Sequence, residues 1–426
     1  MSVLKTKHQF LKWVLMITLM AYPVAALLTR SGSGICFYIL FLVGLYLIAI
    51  REKLAGMTFF MFLKKYWPLH LSMVSMFIAS ALSELYWGDF QPQQFYFALR
   101  LAAFLVLFWG LLFLSSKEIA RVQWGMVVGA VVCAIYYYFY SEAGSLRQPG
   151  IGKMALIAFS DLSLLMGFLA FLTIGWEEGR SKGLLLLKGC ALTGGMVVPF
   201  MSLTRGAWIA IPFFVVIACW LFWKNGRRNI VFLLSVCVLL VGVYALHQGG
   251  VQNRIAIAQE DIVQYENSNY NTSIGLRLQL WRGSWWMFLE SPVFGVGGRD
   301  RFLEKLDEFA SKNLVHPVTP RLYHAHNDIF FQLAMHGGLG LVSLLMLYVV
   351  PCGAALKFSQ YNDTKLRTGI CMVLTITVGF FVFGLTEVFF GIAKDVGNFY
   401  LILLATLFAF LVKREGELKT GQIVST

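Results

Sequence analysis

Apolar residues in this chain recur in blocks of about 17–23, the length that carries an α-helix across roughly 30 Å of hydrocarbon. That feature removes most architectures. A backbone inside lipid finds no water and must satisfy its own amides, so each block is a helix. Of the 426 residues 58% are hydrophobic and 13% charged, whereas a soluble domain carries roughly 25% charged residues. The expected fold is all-α: a polytopic integral membrane protein of about twelve transmembrane helices with one long helical loop outside the membrane.

The candidate spans are 14–29, 35–50, 66–86, 95–114, 124–140, 154–176, 184–203, 207–223, 230–246, 339–356, 368–390 and 398–412. The start, with Lys5, Lys7 and Lys12 before an apolar run, can mimic a signal peptide, and we read it as the first anchor. With the N-terminus inside, the inner loops collect Arg51, Lys53, Lys64, Lys65, Lys117, Arg121, Lys224, Arg227, Arg228 and Lys357 among others. That is roughly 21 basic residues inside against about 5 in the short outer loops, and basic loops stay cytoplasmic. Both termini are therefore expected in the cytoplasm. The net charge of +13 follows from the same bias and from contact with anionic headgroups, so nucleic acid is not an expected partner. The seven cysteines all lie in or beside apolar blocks with no CxxC, which argues against a structural disulfide or a thiolate metal site.

One connection departs from the pattern. Residues 247–325 form a polar stretch of about 80 residues on the outer side, where ordinary connections run about 4–6. It carries Leu276, Leu280, Trp281, Trp285, Trp286 and Phe288. An amphipathic helix is expected over 274–290, capped by Ser273 and ended by Ser291-Pro292, with a second helix over 300–312. The chain thus divides into helices 1–9 (1–246), the loop subdomain (247–325), helices 10–12 (326–412) and a tail (413–426).

Ionisable residues within lipid are costly and point to function. Glu84, Arg100, Asp161, Arg205, Glu387, Lys394 and Asp395 all fall in the outer halves or at the outer ends of spans, and Lys188 alone sits near the inner side. A proton-driven transporter would place such groups near the midplane. The bland reading of Glu84, Lys394 and Asp395 is snorkelling or pairing at helix ends.

Three local patterns stand out. Tyr323-His324-Ala325-His326-Asn327-Asp328 is followed after nine residues by Gly337-Gly338-Leu339-Gly340, glycines that suit a tight turn against the tenth span. His326 stands where the loop re-enters the membrane, and a histidine titrating near pH 6.5 can serve as a general base. Thr204-Arg205-Gly206-Ala207-Trp208-Ile209 puts an arginine at an outer helix lip, where it can grip phosphate by paired hydrogen bonds. Arg277-x-x-x-Trp281 leads through Arg282 to Pro292-x-x-Gly295-x-Gly297, a glycine run without the βαβ context of a nucleotide site. Arg147, in the loop before the sixth span, is a further phosphate candidate, and Asp161, Glu387, Asn327 and Tyr323 are candidates for orienting the reacting groups. His324 and His316 beside His326 raise the possibility of zinc. His-x-His points both rings one way only on a strand, and no carboxylate or cysteine at a known spacing completes the set; no metal is expected. His336 reads as structural.

These motifs, on a twelve-span chain with one long outer loop, resemble the O-antigen ligase and polymerase superfamily of bacterial membrane glycosyltransferases. The specific matches lie between about residues 200 and 340; Arg205-Gly-Ala-Trp-Ile209 departs mildly from the Arg-x-x-x-Leu pattern. The resemblance implies a bacterial inner-membrane enzyme with its active site facing the periplasm. It implies transfer of an O-antigen glycan from undecaprenyl pyrophosphate to a sugar hydroxyl of the lipid A-core oligosaccharide, with no cofactor. His326 would be the base, and Arg205, Arg277, Arg147 and Arg282 would stabilise the pyrophosphate leaving group. Direct attack would invert the anomeric centre. Within the family the alternatives are an O-antigen polymerase and a protein O-oligosaccharyltransferase. The latter usually carries extra periplasmic sequence after its last spans, which is not expected here. Outside the family the alternative is a secondary transporter, against which stand the missing inverted repeat and the large outer loop.

Overall fold

The computed structural model describes residues 2–88, 90–140, 154–177, 181–224, 250–391 and 394–421, and isolated positions between 230 and 242. In chain order the helices are α1 (Ser2–Leu28), α2 (Gly32–Ala49), α3 (Phe59–Lys65), α4 (Trp67–Trp87), α5 (Pro92–Ala102), α6 (Phe104–Leu111), α7 (Ser116–Ile119), α8 (Val122–Tyr140), α9 (Leu156–Leu172), α10 (Lys182–Met201) and α11 (Arg205–Lys224). After them come α12 (Gly250–Glu266), α13 (Ser273–Glu290), α14 (Arg299–Ser311), α15 (Asp328–Leu356), α16 (Thr364–Gly384) and α17 (Lys394–Lys419). There are no strands among the described residues.

Ten helices among the described residues are long and apolar enough to cross a membrane, and Phe95–Leu111 is a shorter apolar segment. Together they coincide with every expected span except 230–246, most of which lies outside the described residues, as does Arg147. The fold is thus an all-α polytopic membrane protein. The two most deeply buried spans, Leu156–Trp176 and Asp395–Lys419, form the centre of the bundle. Large apolar side chains such as Leu42, Val216 and Val349 are left exposed outside it, as suits a surface that faces hydrocarbon. The buried Lys188 is fully paired: its Nζ donates to Gln123 Oε1 at 2.8 Å, Thr173 O at 3.0 Å and Glu177 Oε1 at 3.0 Å. A buried charge needs such partners, so this residue is architectural. Glu84 is likewise used within the fold, accepting from the Gln91 amide at 3.1 Å.

The long loop forms the two expected helices and differs in detail. The amphipathic helix α13 is present, but its cap is Thr272, whose extended backbone (φ −123, ψ 166) lets its hydroxyl accept from the Gly275 amide at 3.1 Å. Ser273, the expected cap, is the first helical residue. Two adjacent hydroxyl residues offer the same side-chain chemistry, and backbone conformation decides between them. Helix α14 is held to α13 by Lys305, whose Nζ lies 2.8 Å from Glu290 Oε2. Helix α12 was not expected.

The loop builds its own apolar core from Leu280, Met287, Phe302, Leu306 and Phe309, and closes it with Phe331, Ala334 and Met335 of α15 and with Val388. The tenth expected span therefore begins earlier, at Asp328, as part of the loop's floor. Helix α15 breaks at Gly337, where φ is +60 and ψ −147. The loop's Pro292–Gly297 segment fills the break by backbone hydrogen bonds: Gly338 N to Pro292 O (2.7 Å), Val296 N to Ala334 O (2.8 Å) and Gly297 N to Met335 O (3.0 Å). A Cβ on Gly337 would meet Val293 C at 2.6 Å, and one on Gly295 would meet Met335 C at 2.4 Å. The two glycine motifs are thus halves of one backbone-to-backbone joint, and the tight turn expected at Gly337 is a helix break with the loop set into it.

Candidate active site

Beside the start of α15, His324 and His326 converge with Glu387, 61 residues on from His326. Tyr323 and His326 both adopt left-handed backbone, φ 59 and φ 48, which non-glycine residues enter only where surrounding structure holds them. This folds the His-Ala-His segment on itself. The His326 amide donates to His324 Nδ1 at 3.2 Å, and the two ring centroids lie 4.1 Å apart. No sequence spacing put these rings together; the left-handed backbone at Tyr323 and at His326 does.

Glu387 receives both rings. Its Oε2 is 3.3 Å from His326 Nδ1 and its Oε1 is 3.5 Å from His324 Nε2. The hydrogen bonds fix the tautomers. His324 Nδ1 accepts from an amide, so its proton is on Nε2, facing the carboxylate. A carboxylate only accepts, so His326 carries its proton on Nδ1 and leaves Nε2 as a free acceptor. Burial pushes the Glu387 carboxyl up, but the hydrogen bond and charge of His326, the charge of His324 and the Val388 amide outweigh it and hold it below the usual range. Burial pushes His324 down to about 4, against the pull of Glu387 and helped by His326, Arg299 and Arg277. At neutral pH the site therefore holds a charged Glu387 beside a neutral His324. The three residues offer ligand atoms within 4.8 Å of one another, so a carboxylate that no local spacing predicted does complete a three-donor set.

The carboxylate is placed by a strap. Asn327 Oδ1 caps α15, accepting from Ile329 N (2.9 Å) and Phe330 N (3.2 Å), while its Nδ2 donates to Leu385 O at 3.1 Å. Asp328 Oδ1 accepts from the amides of Phe389 and Phe390, each at 3.0 Å, and Gln332 Nε2 donates to Phe390 O at 2.6 Å. These bonds take up the backbone of residues 385–390, so α16, expected to run to 390, stops at Gly384. Asn327, a candidate for orienting the reacting groups, thus acts on the backbone that carries Glu387.

The arginines divide. Arg205 opens α11 after a reversal at Leu203 (φ 55), and Trp208 Nε1 closes the turn onto Pro199 O at 3.1 Å. Gly206 abuts Thr386 so closely that a Cβ would lie 2.2 Å from its Oγ1, which sets Arg205 beside the Glu387 strap. Arg277 stands one turn before Trp281, whose Nε1 donates to Ala325 O at 3.0 Å and whose ring stacks on Phe330; the charge of Arg277 reaches His324. Arg282 does not join them. It is exposed and lies 4.6 Å over the Trp286 ring, five residues and so about 140° around the helix from Arg277. Arg299, which the sequence did not single out, lies 5.6 Å over the exposed Tyr323 ring and acts on His324. Its only signal was its place after the glycine run.

Asp161 is fully buried, and neither oxygen has a hydrogen-bond partner among the described residues. Beside it Ser160, Ser202 and Thr204 bond to one another at 2.8–3.2 Å. His336 is buried between Gln332 Oε1 (2.9 Å) and Ser80 Oγ (3.3 Å), as suits a structural histidine, and His316 Nδ1 serves a local turn by accepting from Val318 N.

Comparison with known proteins meets the same region. The sequence pattern of the family described as O-antigen ligase matches residues 189–345. An uncharacterized protein of Haemophilus influenzae is 28% identical over 207 residues, 47% of this chain and 50% of its own length. An O-antigen ligase of Escherichia coli K12 is 24% identical over 242 residues, 56% of this chain and 54% of its own. The chain spans about half the length of the curated relatives it matches.

Proposed function

We propose that this chain, which matches the O-antigen ligase family over residues 189–345, is an O-antigen ligase of the bacterial inner membrane. It transfers a glycan from undecaprenyl pyrophosphate to a sugar hydroxyl of the lipid A-core oligosaccharide on the periplasmic side. The observation that carries the reading is the His326–Glu387 pair at 3.3 Å, on the same end of the bundle as Arg205 and Arg277.

The chemistry follows from that pair. The acceptor oxygen attacks the anomeric carbon of the donor sugar, and its proton passes to His326 Nε2. The bond from that carbon to the pyrophosphate oxygen breaks, and the electron pair leaves with the lipid pyrophosphate. Glu387, charged and hydrogen-bonded to Nδ1, stabilises the imidazolium as it forms. Arg205 and Arg277, with Arg147, oppose the negative charge growing on the leaving group, where preorganised donors are most effective. The donor is already activated, so no nucleotide or metal is required. One direct displacement inverts the anomeric centre.

Product identity tests this reading. Purified protein is mixed with polyprenyl-pyrophosphate-linked O-antigen and rough lipopolysaccharide. A ladder on the lipid A core supports the ligase. Longer lipid-linked glycan with an uncapped core means a polymerase, and solute flux into liposomes with no covalent product means a transporter.

A further inference from the structure

A second site lies at the other end of the bundle. Helix α15 starts at the His326 cluster and runs 29 residues, about 43 Å at 1.5 Å per residue. Its far end borders a cavity of about 480 Å³ walled by α4, α15 and α17. The floor is apolar: Leu69, Val350, Ala354, Phe358 and Phe408. Lys65, Lys357 and Lys419, all exposed, stand around it. Its one acid, Glu415, accepts from Lys419 Nζ and from the Tyr361 hydroxyl, each at 2.8 Å. Tyr66 also lines the cavity; it is 9% exposed, and its hydroxyl has no hydrogen-bond partner among the described residues.

We propose that this cavity binds one anionic phospholipid, its phosphate held by Lys65, Lys357 and the Tyr66 hydroxyl and an acyl chain lying on the apolar floor. Lysines at helix C-termini also complement the helix dipole. That accounts for each lysine singly, but not for their convergence on an apolar cavity that holds an unpartnered hydroxyl. Basic pockets between helices on the cytoplasmic side suit anionic headgroups. The floor selects a lipid over free phosphate, which has nothing to gain from apolar walls. The site is independent of the transfer chemistry; only the leaflet that supplies the lipid rests on the orientation proposed above.

The test is native mass spectrometry of the full-length protein in mild detergent, titrated with phosphatidylglycerol or with phosphatidylethanolamine of the same acyl chains. The paired change Lys65→Gln and Lys357→Gln is compared with Lys53→Gln and Lys182→Gln, which removes equal charge elsewhere. Gly353→Leu fills the cavity without touching a charge, since a Cβ there meets nothing within 4 Å. The expected result is preferential binding of phosphatidylglycerol, weakened about 10-fold or more by the Lys65/Lys357 pair and by Gly353→Leu, but not by the control pair. Excess inorganic phosphate leaves it in place. Wild-type binding in both cavity variants, equal binding of the two lipids, or full displacement by phosphate would overturn the proposal. If the lysine pair fails to fold, Gly353→Leu decides alone.

Discussion

His326 Nδ1 lies 3.3 Å from Glu387 Oε2 across 61 residues of sequence, and this contact divides the work of the site. The carboxylate fixes the ring through Nδ1, and Nε2 is the nitrogen left for the proton of the acceptor hydroxyl. Glu387→Gln keeps the size of the side chain but removes the charge that stabilises the imidazolium. The expected outcome is a fall in kcat of about 10- to 100-fold, at the lower end of general-base contributions, with little change in donor KM. Steady-state kinetics with varied lipid donor checks it; a change in KM alone would assign Glu387 to donor binding.

Acid should loosen the same cluster. Burial holds His324 at about 4, whereas the unfolded chain takes up that proton near 6.5. Between those values the unfolded state binds more protons, so this contribution is fully present above about pH 6.5 and is lost as pH falls toward 4. Its size is at most about 3 kcal/mol. Glu387, also held low, loses its contribution in the same direction. Thermal unfolding in detergent should therefore show a melting temperature that drops across this window. His324→Gln should flatten the drop, and an unchanged slope would show that His324 is not buried neutral.

The arginines should separate by position. Arg205→Lys and Arg277→Lys keep charge but lose the planar fork that grips phosphate in two places, and each should lower kcat/KM for the lipid donor about 10-fold or more. Arg282→Ala, on the far side of α13, should stay within about 3-fold of wild type. Equal losses at all three positions would mean a general electrostatic field in place of specific contacts.

The joint between the glycine motifs makes a structural prediction. Gly337→Ala places a Cβ 2.6 Å from Val293 C at a backbone angle that alanine rarely adopts. The loop segment must shift, at a cost of at least about 2 kcal/mol. Limited proteolysis of the 247–325 loop should speed up in this variant. Gly34→Ala, where a Cβ meets nothing within 4 Å, should leave it unchanged.

The spans were legible because hydrocarbon thickness imposes their length, and α13 because its apolar stripe is broken sharply by Ser291-Pro292. The polar α12 offered no such stripe and went unread. At the site the chemistry of His326, Arg205 and Glu387 was visible as residue types near span ends, and that of Arg277 as an arginine in the long loop. Their assembly was not, because it depends on left-handed backbone at Tyr323 and His326, which no sequence rule demands of non-glycine residues. It depends too on a strap in which Asn327, Asp328 and Gln332 interrupt an apolar run that reads as continuous helix to Phe390. The glycines of the two motifs were noticed separately, and only their contact explains why both must lack a Cβ.

The most direct test of the account is the single-turnover rate of glycan transfer with EDTA present, comparing wild type with His326→Ala, alongside a measurement of lipid-donor binding. The account predicts that wild type is unaffected by EDTA and that His326→Ala is slower by about 100-fold or more while binding donor as well as wild type does. A His326→Ala rate within about 3-fold of wild type, or wild-type activity abolished by EDTA and restored by zinc, would contradict it and make His324, His326 and Glu387 something other than a base and its orienting partners.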